Sequence, residues 1–340
     1  MTITVENRAI QGGGVIKSVA RRLYAQQAMR PLMQRARLAV HRFLVFREFV
    51  GDAHEAARDT TVRPDYLFNV EHVERELVLR YHQVEKGLVL PEPRRPFGIE
   101  SGLRQRLSDV LDLAATHHPR TSSEVIAGAR TAVEALDEFN EFGTYDVRAA
   151  NPGPGVKKLT DAEAFFASRR SCRDFDTKRR ITVADIERAV GIAQTAPSAC
   201  NRQSARVHLY SDSTQVAAIL GFQGGATGFT DCITDLIAVT VKRGQFRDGF
   251  ERNQRWVDGG IFAQTLTLGL HAIGYSSCFL NAMFTRRQMK AVRSVAGIPG
   301  TEDIVAFLAV GTARDGYRVA GSPRLDLRTV LTMHSPDGAK

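Results

Sequence analysis

Three arginines and a serine lie within five consecutive residues in the C-terminal half of the chain, in the segment Arg169-Arg170-Ser171-Cys172-Arg173. A guanidinium group presents paired N–H donors that match phosphate oxygens, and a serine hydroxyl adds another donor. The segment therefore predicts a phosphomonoester site, with a solvated basic turn as the alternative interpretation. Arg324, in Gly321-Ser322-Pro323-Arg324, is a second candidate anion contact, and a solvated turn is again the alternative interpretation.

Two further segments combine small residues with amides. In the first, 196–203, Pro197 ends a helix and leaves amide donors on an exposed turn, where they could bond a polar heterocycle. An ordinary loop is the alternative. In the second, Asp258-Gly259-Gly260 precedes Gln264 on a long, mostly apolar helix. Small residues there allow a flat ring to approach, and helix packing in the core explains the glycines equally well.

Alternating helices and short strands are predicted to hold these segments. Helices are expected over 161–169, 182–195 with Thr182 as N-cap, and 253–273, which we expect to be central and buried. Strands are expected over 205–210, 236–241, 276–280 and 304–310. This alternation favours a layered α/β or α+β domain.

The chain divides into three zones: 1–60, 61–150 and 155–335. The first contains a basic amphipathic helical arm over 15–50 that Pro31 interrupts. The second is a helical extension, including 70–88 and 122–139, with a proline-rich loop at 91–98. The third is the alternating domain. We place the junction at Asn151-Pro152-Gly153-Pro154-Gly155, because proline and glycine interrupt regular structure.

Charge and cysteine usage narrow the class of protein. The chain has 46 Lys+Arg against 37 Asp+Glu in 340 residues, and no acidic residue lies between Glu6 and Glu48. The four cysteines are scattered, so we predict no metal site and expect a reducing cytoplasm. The first residues lack a signal peptide's apolar core, and no apolar run approaches the roughly 20 residues of a membrane span. We expect a cytoplasmic protein.

The order of the motifs resembles the nitroreductase family. R-R-S-x-R is followed by A-P-S-x-x-N-x-Q, D-G-G-x-x-x-Q, G-x-x-S-C and S-P-R between about residues 162 and 331. The resemblance implies an α+β fold, a nitroreductase-like α/β sandwich that here carries an N-terminal helical extension. It also implies an FMN cofactor and a homodimer with the flavin at the subunit interface.

The resemblance assigns the flavin contacts to particular positions. Those expected at the phosphate, ribityl chain or pyrimidine edge are Arg169, Arg170, Ser171 and Arg173, with Arg324 as the second phosphate ligand. Those expected from the partner subunit are Pro197, Ser198 and Asn201. Leu280 and Asn281 are expected beside the ring, and Gln223 at the ribityl chain or ring. Ser204-Ala205 stands where many members have an aromatic residue and a proline, and Leu280-Asn281-Ala282 where many have Gly-Gly. These departures leave substrate choice open.

The resemblance implies an FMN-dependent oxidoreductase that takes hydride from NAD(P)H through flavin N5 and passes it to a small-molecule electron acceptor in ping-pong fashion. This scheme needs no protein nucleophile, so no catalytic residue is predicted. One alternative is an FMN-dependent dehydrogenase, oxidase or reductase of a sugar- or lipid-linked intermediate in polysaccharide biosynthesis. Another is a membrane-associated binding module of the same fold without redox activity.

Two N-terminal features extend this hypothesis. Tyr81–Leu88 resembles a nitroreductase-like subgroup with extended N-termini, often associated with polysaccharide biosynthesis. His82 shares a helix face with Glu85 and Lys86. These residues could form an acid/base pair aimed at the flavin, and a salt-bridge network is the alternative interpretation. The basic arm predicts peripheral contact with the anionic inner face of a membrane, with a dimer-wrapping helix as the alternative. Nucleic acid is not an expected partner, because the arm has few aromatic residues.

Overall fold

A computed structural model of the chain describes residues 30–60, 69–150, 154–247 and 249–334. The chain forms two compact units, residues 1–55 and 56–340. Within the second unit, the helical zone that starts at Val70 and the sheet domain pack together.

The basic arm contains helix α1, Arg30–Thr60, which runs across the boundary between the units. The described part of this helix begins at Arg30, so the interruption expected at Pro31 stays a prediction. The helix also continues ten residues beyond the predicted end at 50. The part of that prediction over 15–29 lies outside the described residues. No helix in the described ranges is long and apolar enough to cross a membrane.

The helical extension consists of α2 (Val70–Leu88), α3 (Leu103–His117) and α4 (Ser123–Phe142). Asn69 caps α2, because its side chain accepts a hydrogen bond from the backbone N–H of Glu71 at 2.9 Å. Apolar residues at helical spacing bury a common core among the three helices, including Val73, Leu107 and Leu136. The predicted helix over 70–88 is confirmed, and the loop at 91–98 separates α2 from α3 as expected.

The sheet domain has four antiparallel strands. They are β1 (Ala205–Tyr210), β2 (Asp235–Lys242), β3 (Ser276–Leu280) and β4 (Glu302–Gly311), in the spatial order β1-β2-β4-β3. Their order puts β2 and β4 at the centre, where both faces of each strand are covered. A register shift between Val239 and Thr240 interrupts the pairing of β2 with β4. All four predicted strands are confirmed to within two residues.

Helices cover both faces of this sheet. The helices of the domain are α5 (Ala162–Ser168), α6 (Val183–Ala193), α7 (Ser213–Leu220), α8 (Gln254–Ala272), α9 (Arg286–Ala296) and α10 (Leu327–Val330). Helices α6 and α8 share an apolar core with Ile237 and Leu308 on one face, and α7 and α9 share one with Leu236 and Phe307 on the other. This arrangement confirms the expected helix–sheet sandwich. Thr182 caps α6 as predicted, accepting from the backbone N–H of Asp185 at 3.1 Å.

Helix α8 is only half buried, which corrects the expectation of a fully central helix. Gly259 and Ala263 face the sheet, whereas Trp256, Val257 and Ile261 are exposed. A Cβ at Gly259 would lie 2.6 Å from a methyl group of Val305 on β4, so the glycine permits the close approach of helix and sheet.

Candidate functional site

The arginine-rich segment lies beside β3, at the edge of the sheet. Ser171 forms an isolated parallel bridge with Ser277, and the backbone N–H of Cys172 donates to the Ser277 carbonyl at 3.0 Å. This pairing brings the predicted anion-binding residues next to Cys278. Burial raises the pKa of the Cys278 thiol, while the charge of Arg173 and the hydroxyl of Ser171 act against that rise.

The arginines of this segment differ in their partners. Arg169 and Arg173 make no ion pair or hydrogen bond through their guanidinium groups within the described ranges, whereas nearby Arg179 and Arg314 pair with carboxylates at 2.7 and 2.8 Å. Arg170 donates to the backbone carbonyls of Ala320 and Gly321, at 2.8 Å to the latter. Two guanidinium groups of the segment are therefore available to an anion.

Arg170 also brings the C-terminal segment to the same place. Ala320 and Gly321 precede Ser322 and Arg324, so this contact ties the arginine-rich segment to the predicted second phosphate ligand. Arg324 is exposed, and its guanidinium contacts only the carbonyl of Ser322, at 3.5 Å, among the described residues. Its charge is likewise not neutralised by a carboxylate of the described residues.

Gln223, Leu280 and Asn281 meet at the end of β3. The Gln223 side chain is buried and donates to the Asn281 carbonyl at 2.8 Å, while its oxygen accepts from the backbone N–H groups of Gly225 and Ala226 at 2.5 and 3.1 Å. Gln223 thereby fixes the backbone of Asn281. The Leu280 side chain is part of the apolar core, so any contact with a ligand would come from its backbone.

The loop after α6 adopts a strained conformation. Cys200, Asn201 and Gln203 have φ values of 52°, 53° and 49°, in the left-handed region that non-glycine residues avoid. The loop is held by two anchors. Asp258 of α8 accepts from the Ala199 N–H at 3.1 Å, and the Ser198 hydroxyl accepts from the Gln203 N–H at 3.0 Å. Strained residues often mark a ligand site when the surrounding structure holds them so firmly.

Two buried arginines connect this loop to the segment 244–246. Arg202 donates to the Ala199 carbonyl at 3.0 Å and to the Gln245 carbonyl at 2.8 Å, and it forms a bidentate ion pair with Glu251. Arg75 of α2 donates to the carbonyls of residues 244 and 246, both at 3.1 Å. All three carbonyls of the segment are therefore bonded to guanidinium groups, one of which comes from the helical extension.

A cavity of about 660 Å³ lies between the helical extension and the strained loop. Pro197, Ser198 and Asn201 line it together with residues of α2, α6 and α8. None of the residues around Cys278, and neither Asn281 nor Arg324, lines this cavity. The predicted cofactor-binding residues thus fall into two groups: the anion group (Arg169, Arg170, Ser171, Arg173, Gln223, Leu280, Asn281 and Arg324) and the loop group (Pro197, Ser198 and Asn201).

The candidate acid/base pair of α2 forms but does not reach the cavity. His82 Nδ1 lies 3.3 Å from Glu85 Oε2, and each side chain is about one third exposed. Burial raises the pKa of Glu85, and His82 acts against that rise. Neither residue lines the cavity. This geometry favours the salt-bridge interpretation of the pair.

Residues 166–227 and 229–312 match the model of the Nitroreductase family. The matched stretches contain the arginine-rich segment, the strained loop and all four strands. This part of the chain is similar to the nitroreductase family. With the four-stranded antiparallel sheet, the match gives the chain a nitroreductase-like fold that carries an N-terminal helical region.

Solved structures similar to this chain include an FMN-dependent nitroreductase from Clostridium difficile R20291, with 17% identity and a TM-score of 0.43 over 51% of this chain and 99% of the other. A putative nitroreductase from Bacillus subtilis is similar at 15% identity and a TM-score of 0.47, over 52% and 100% of the two chains. NfrA2 of B. megaterium is similar at 19% identity and a TM-score of 0.46, over 52% and 75%. No curated protein matches the chain.

Several residues that build the cavity were not singled out from the sequence. They are Gln245, which lines the cavity, and Arg75, which bonds the segment that carries Gln245, whereas Tyr81 was noted only as part of a motif. Arg75 and its acceptor in the segment 244–246 are 169 residues apart, so no local pattern connects them. The sequence marks Ser204 only as a departure from the residue type that many family members have at this position.

Proposed function

We propose that this chain is an FMN-dependent oxidoreductase that uses NAD(P)H and a small-molecule electron acceptor. The observation that carries the proposal is the anion group, in which arginines without carboxylate partners lie beside β3 within the family-matched stretch. Arg179 and Arg314 of the same region pair with neighbouring carboxylates, whereas Arg169 and Arg173 do not within the described residues. Unpaired guanidinium groups suit a phosphate dianion.

In this proposal Arg169, Arg173 and Arg324 hold the FMN phosphate, and Arg170 keeps the C-terminal segment in position through Gly321. Gln223 fixes the Asn281 backbone beside the ring. A bound flavin would supply the redox chemistry, the transfer of a hydride from NAD(P)H to the acceptor. The protein binds and orients the reactants and excludes water.

The test is the identity and retention of the bound flavin. Denatured protein should release FMN, identified by chromatography, and Arg169→Ala combined with Arg173→Ala should lose it, because each charge-assisted contact contributes about 1.5–3 kcal/mol. Arg188→Ala, an exposed arginine on α6, is the matched control and should retain FMN. Released FAD, or full FMN retention in the double variant, contradicts the proposal. Parallel lines in two-substrate kinetics would support ping-pong turnover.

We also propose a homodimer in which the loop group completes the flavin site of the partner. Two observations support it: the loop group and the anion group line different parts of one chain, and α8 exposes Trp256, Val257 and Ile261 along one face. Light scattering should give about twice 37.5 kDa. Ile261→Glu should give monomers without FMN, whereas Val183→Glu on α6 should not. An FMN-loaded monomer would overturn the dimer proposal.

Finally, we propose the division into an arm (1–60), a helical extension (61–150) and a flavin domain (155–335), with the arm in peripheral contact with an anionic membrane. Helix α1 exposes Phe43, Phe46 and Phe49 among its arginines, a composition that suits a lipid surface. Full-length protein should pellet with anionic vesicles at low salt. Replacing these three phenylalanines with serine should abolish pelleting, whereas Phe142→Ser on α4 should not. Equal pelleting of all three proteins contradicts the contact.

A further inference from the structure

The cavity beside the strained loop contains polar groups that the protein itself does not satisfy. Ser204 is 0% exposed and Gln245 is 3% exposed, and neither Ser204 Oγ nor Gln245 Oε1 has a hydrogen-bond partner among the described residues. Tyr81 is 8% exposed, and no hydrogen bond to its hydroxyl is formed by that part of the chain. All three residues line the cavity. An unsatisfied buried polar group is costly, so the two at this cavity, Ser204 Oγ and Gln245 Oε1, call for an explanation.

The unsatisfied oxygen of Gln245 is held in a fixed position. Its backbone carbonyl accepts from Arg202, and the carbonyls on either side accept from Arg75. Its side-chain nitrogen points at the Glu71 carbonyl, 3.4 Å away, which assigns the two ends of the amide. The oxygen is therefore the end that remains for a ligand, and it can only accept a hydrogen bond.

Ser204 and Tyr81 reach the cavity from different elements of the fold. Ser204 is the first residue after the strained loop, and its carbonyl accepts from the Lys242 N–H at 3.0 Å, which ties it to β2. Tyr81 comes from α2, and its ring packs so close to Gly128 of α4 that a Cβ added at Gly128 would lie 3.4 Å from it. Burial raises the pKa of Tyr81 to about 12, so its hydroxyl is neutral at physiological pH. Both hydroxyls can donate or accept.

The charged residues of the cavity already have partners. Glu74 accepts from the Ser122 N–H at 3.0 Å, Glu124 accepts from the Ser122 hydroxyl at 2.6 Å, and Arg206 donates to two backbone carbonyls at 2.7 and 2.9 Å. Lys242 lies 3.7 Å from a Glu71 carboxylate oxygen. The remaining walls include Val78, Val125 and Phe262. The unsatisfied set is thus neutral and lies beside an apolar surface.

We propose that this cavity is a substrate site for an uncharged ring compound that carries an amide or hydroxyl donor. The donor bonds Gln245 Oε1, a second polar group bonds Tyr81 and Ser204, and the ring packs on the apolar walls. The role of this site in turnover rests on the proposed function. Pro197, Ser198 and Asn201 line the same cavity and are the residues proposed to contact the flavin. The helical extension would then determine the substrate specificity.

The test uses 4-hydroxybenzamide as the probe, with 4-hydroxybenzoate as its charged counterpart. Binding to the full-length protein is measured by saturation-transfer NMR and calorimetry. The amide should bind, and the carboxylate should bind at least tenfold more weakly, because Gln245 Oε1 cannot donate to it. Tyr81→Phe, Ser204→Ala and Gln245→Met should each weaken amide binding by about fivefold to tenfold, the effect of one hydrogen bond.

Stability provides the matched control. Removing the unsatisfied buried hydroxyl of Ser204, or the Tyr81 hydroxyl, which bonds none of the described residues, leaves no protein group unpaired. Ser204→Ala and Tyr81→Phe should therefore keep or raise the Tm of the ligand-free protein. Tyr210 is the counterpart: burial raises its pKa to about 12 as well, but its hydroxyl donates to the Ala296 carbonyl at 2.9 Å. Tyr210→Phe should therefore lower the Tm by about 2–4 °C and leave probe binding unchanged.

The outcomes separate the site from the proposed function. If the amide does not bind at millimolar concentration, or binds equally to wild type and to all three cavity variants, the site is wrong. If the carboxylate binds as well as the amide, the assignment to uncharged ligands is wrong. Flavin content is measured by absorbance on the same samples. Protein without FMN would overturn the proposed function, whereas the binding data would still decide whether the cavity is a ligand site.

Discussion

Asp258 offers a direct test of how the strained loop is held. Its carboxylate is buried on α8 and accepts two hydrogen bonds, from the Ala199 N–H at 3.1 Å and from the Gln254 side chain at 2.7 Å. Gln254 lies one turn away on the same helix and can turn to solvent if the carboxylate is removed. Ala199 lies in the loop and has no such freedom. Asp258→Ala therefore acts mainly on the loop.

The magnitude follows from two opposing quantities. A hydrogen bond from a backbone N–H to a charged acceptor contributes about 1.5–3 kcal/mol. The left-handed conformations of Cys200 and Gln203 cost about 1–2 kcal/mol each. The anchor at Ala199 is thus comparable to the strain that it offsets, and its loss should let the loop open. An opening free energy lowered by this amount corresponds to about 10- to 100-fold faster amide exchange in the loop.

Hydrogen exchange followed by mass spectrometry of the peptide 196–206 measures this opening. Asp258→Ala should accelerate exchange there and leave β2 and β4 unchanged, because the rest of α8 still buries its apolar face. Gln254→Ala is the control, since it removes the other hydrogen bond and keeps the anchor at Ala199. Unchanged exchange of 196–206 in Asp258→Ala would refute the anchoring role, as would equal acceleration in the Gln254 variant.

Two further predictions concern the sheet. Burial raises the pKa of Glu302, but hydrogen bonds involving His208, at 2.8 Å, and Thr240 outweigh it and leave the pKa below its ordinary value. The ionised Glu302 carboxylate therefore stabilises the fold above its ordinary pKa, and this stabilisation is lost as the pH falls through the lowered pKa. In urea titrations Glu302→Gln should be about 1–3 kcal/mol less stable than wild type at neutral pH and nearly equal to it in acid. Gly259→Ala should lower the free energy of unfolding by about 1–3 kcal/mol, because the added Cβ would clash with the sheet. The Cβ of Gly260→Ala would meet open space, so this control variant should be neutral or slightly stabilising. Similar losses in both variants would contradict the packing argument.

The fold could be predicted wherever one segment carried its own signal. The continuous apolar run Leu236–Val241 indicates a strand covered on both faces, and β2 is central in the sheet. Thr182 with Asp185 three residues later marks the start of α6. The end of α1 was missed because its last ten residues lose the apolar period. They remain helical, and the stretch Ala53–Ala57 contains three alanines, whose intrinsic propensity favours a helix.

The site could be predicted only in part, since motif order locates segments and not their mutual contacts. The order of motifs predicts the anion group and the loop group, and the resemblance assigns the loop group to the partner's site, but it does not indicate the cavity that the loop group lines. Arg75 and Gln245 belong to no motif, and Arg75 bonds the Gly244 carbonyl beside Gln245 across 169 residues of sequence. Buried polar residues of this kind look like surface residues in the sequence, because their burial depends on long-range packing.

Helix α2 connects these observations. Glu74, Val78 and Tyr81 recur at helical spacing and line the cavity, while Arg75, next to Glu74, bonds the segment that carries Gln245. The same helix therefore shapes the wall of the cavity and fixes the unsatisfied acceptor opposite it. A change on this face should alter which ligand fits while leaving the anion group intact, because no residue of α2 belongs to that group. Val78→Phe, which would occupy part of the cavity, should accordingly weaken 4-hydroxybenzamide binding and leave FMN content unchanged. Loss of both together would mean that cofactor and substrate binding are not carried by separate parts of the chain.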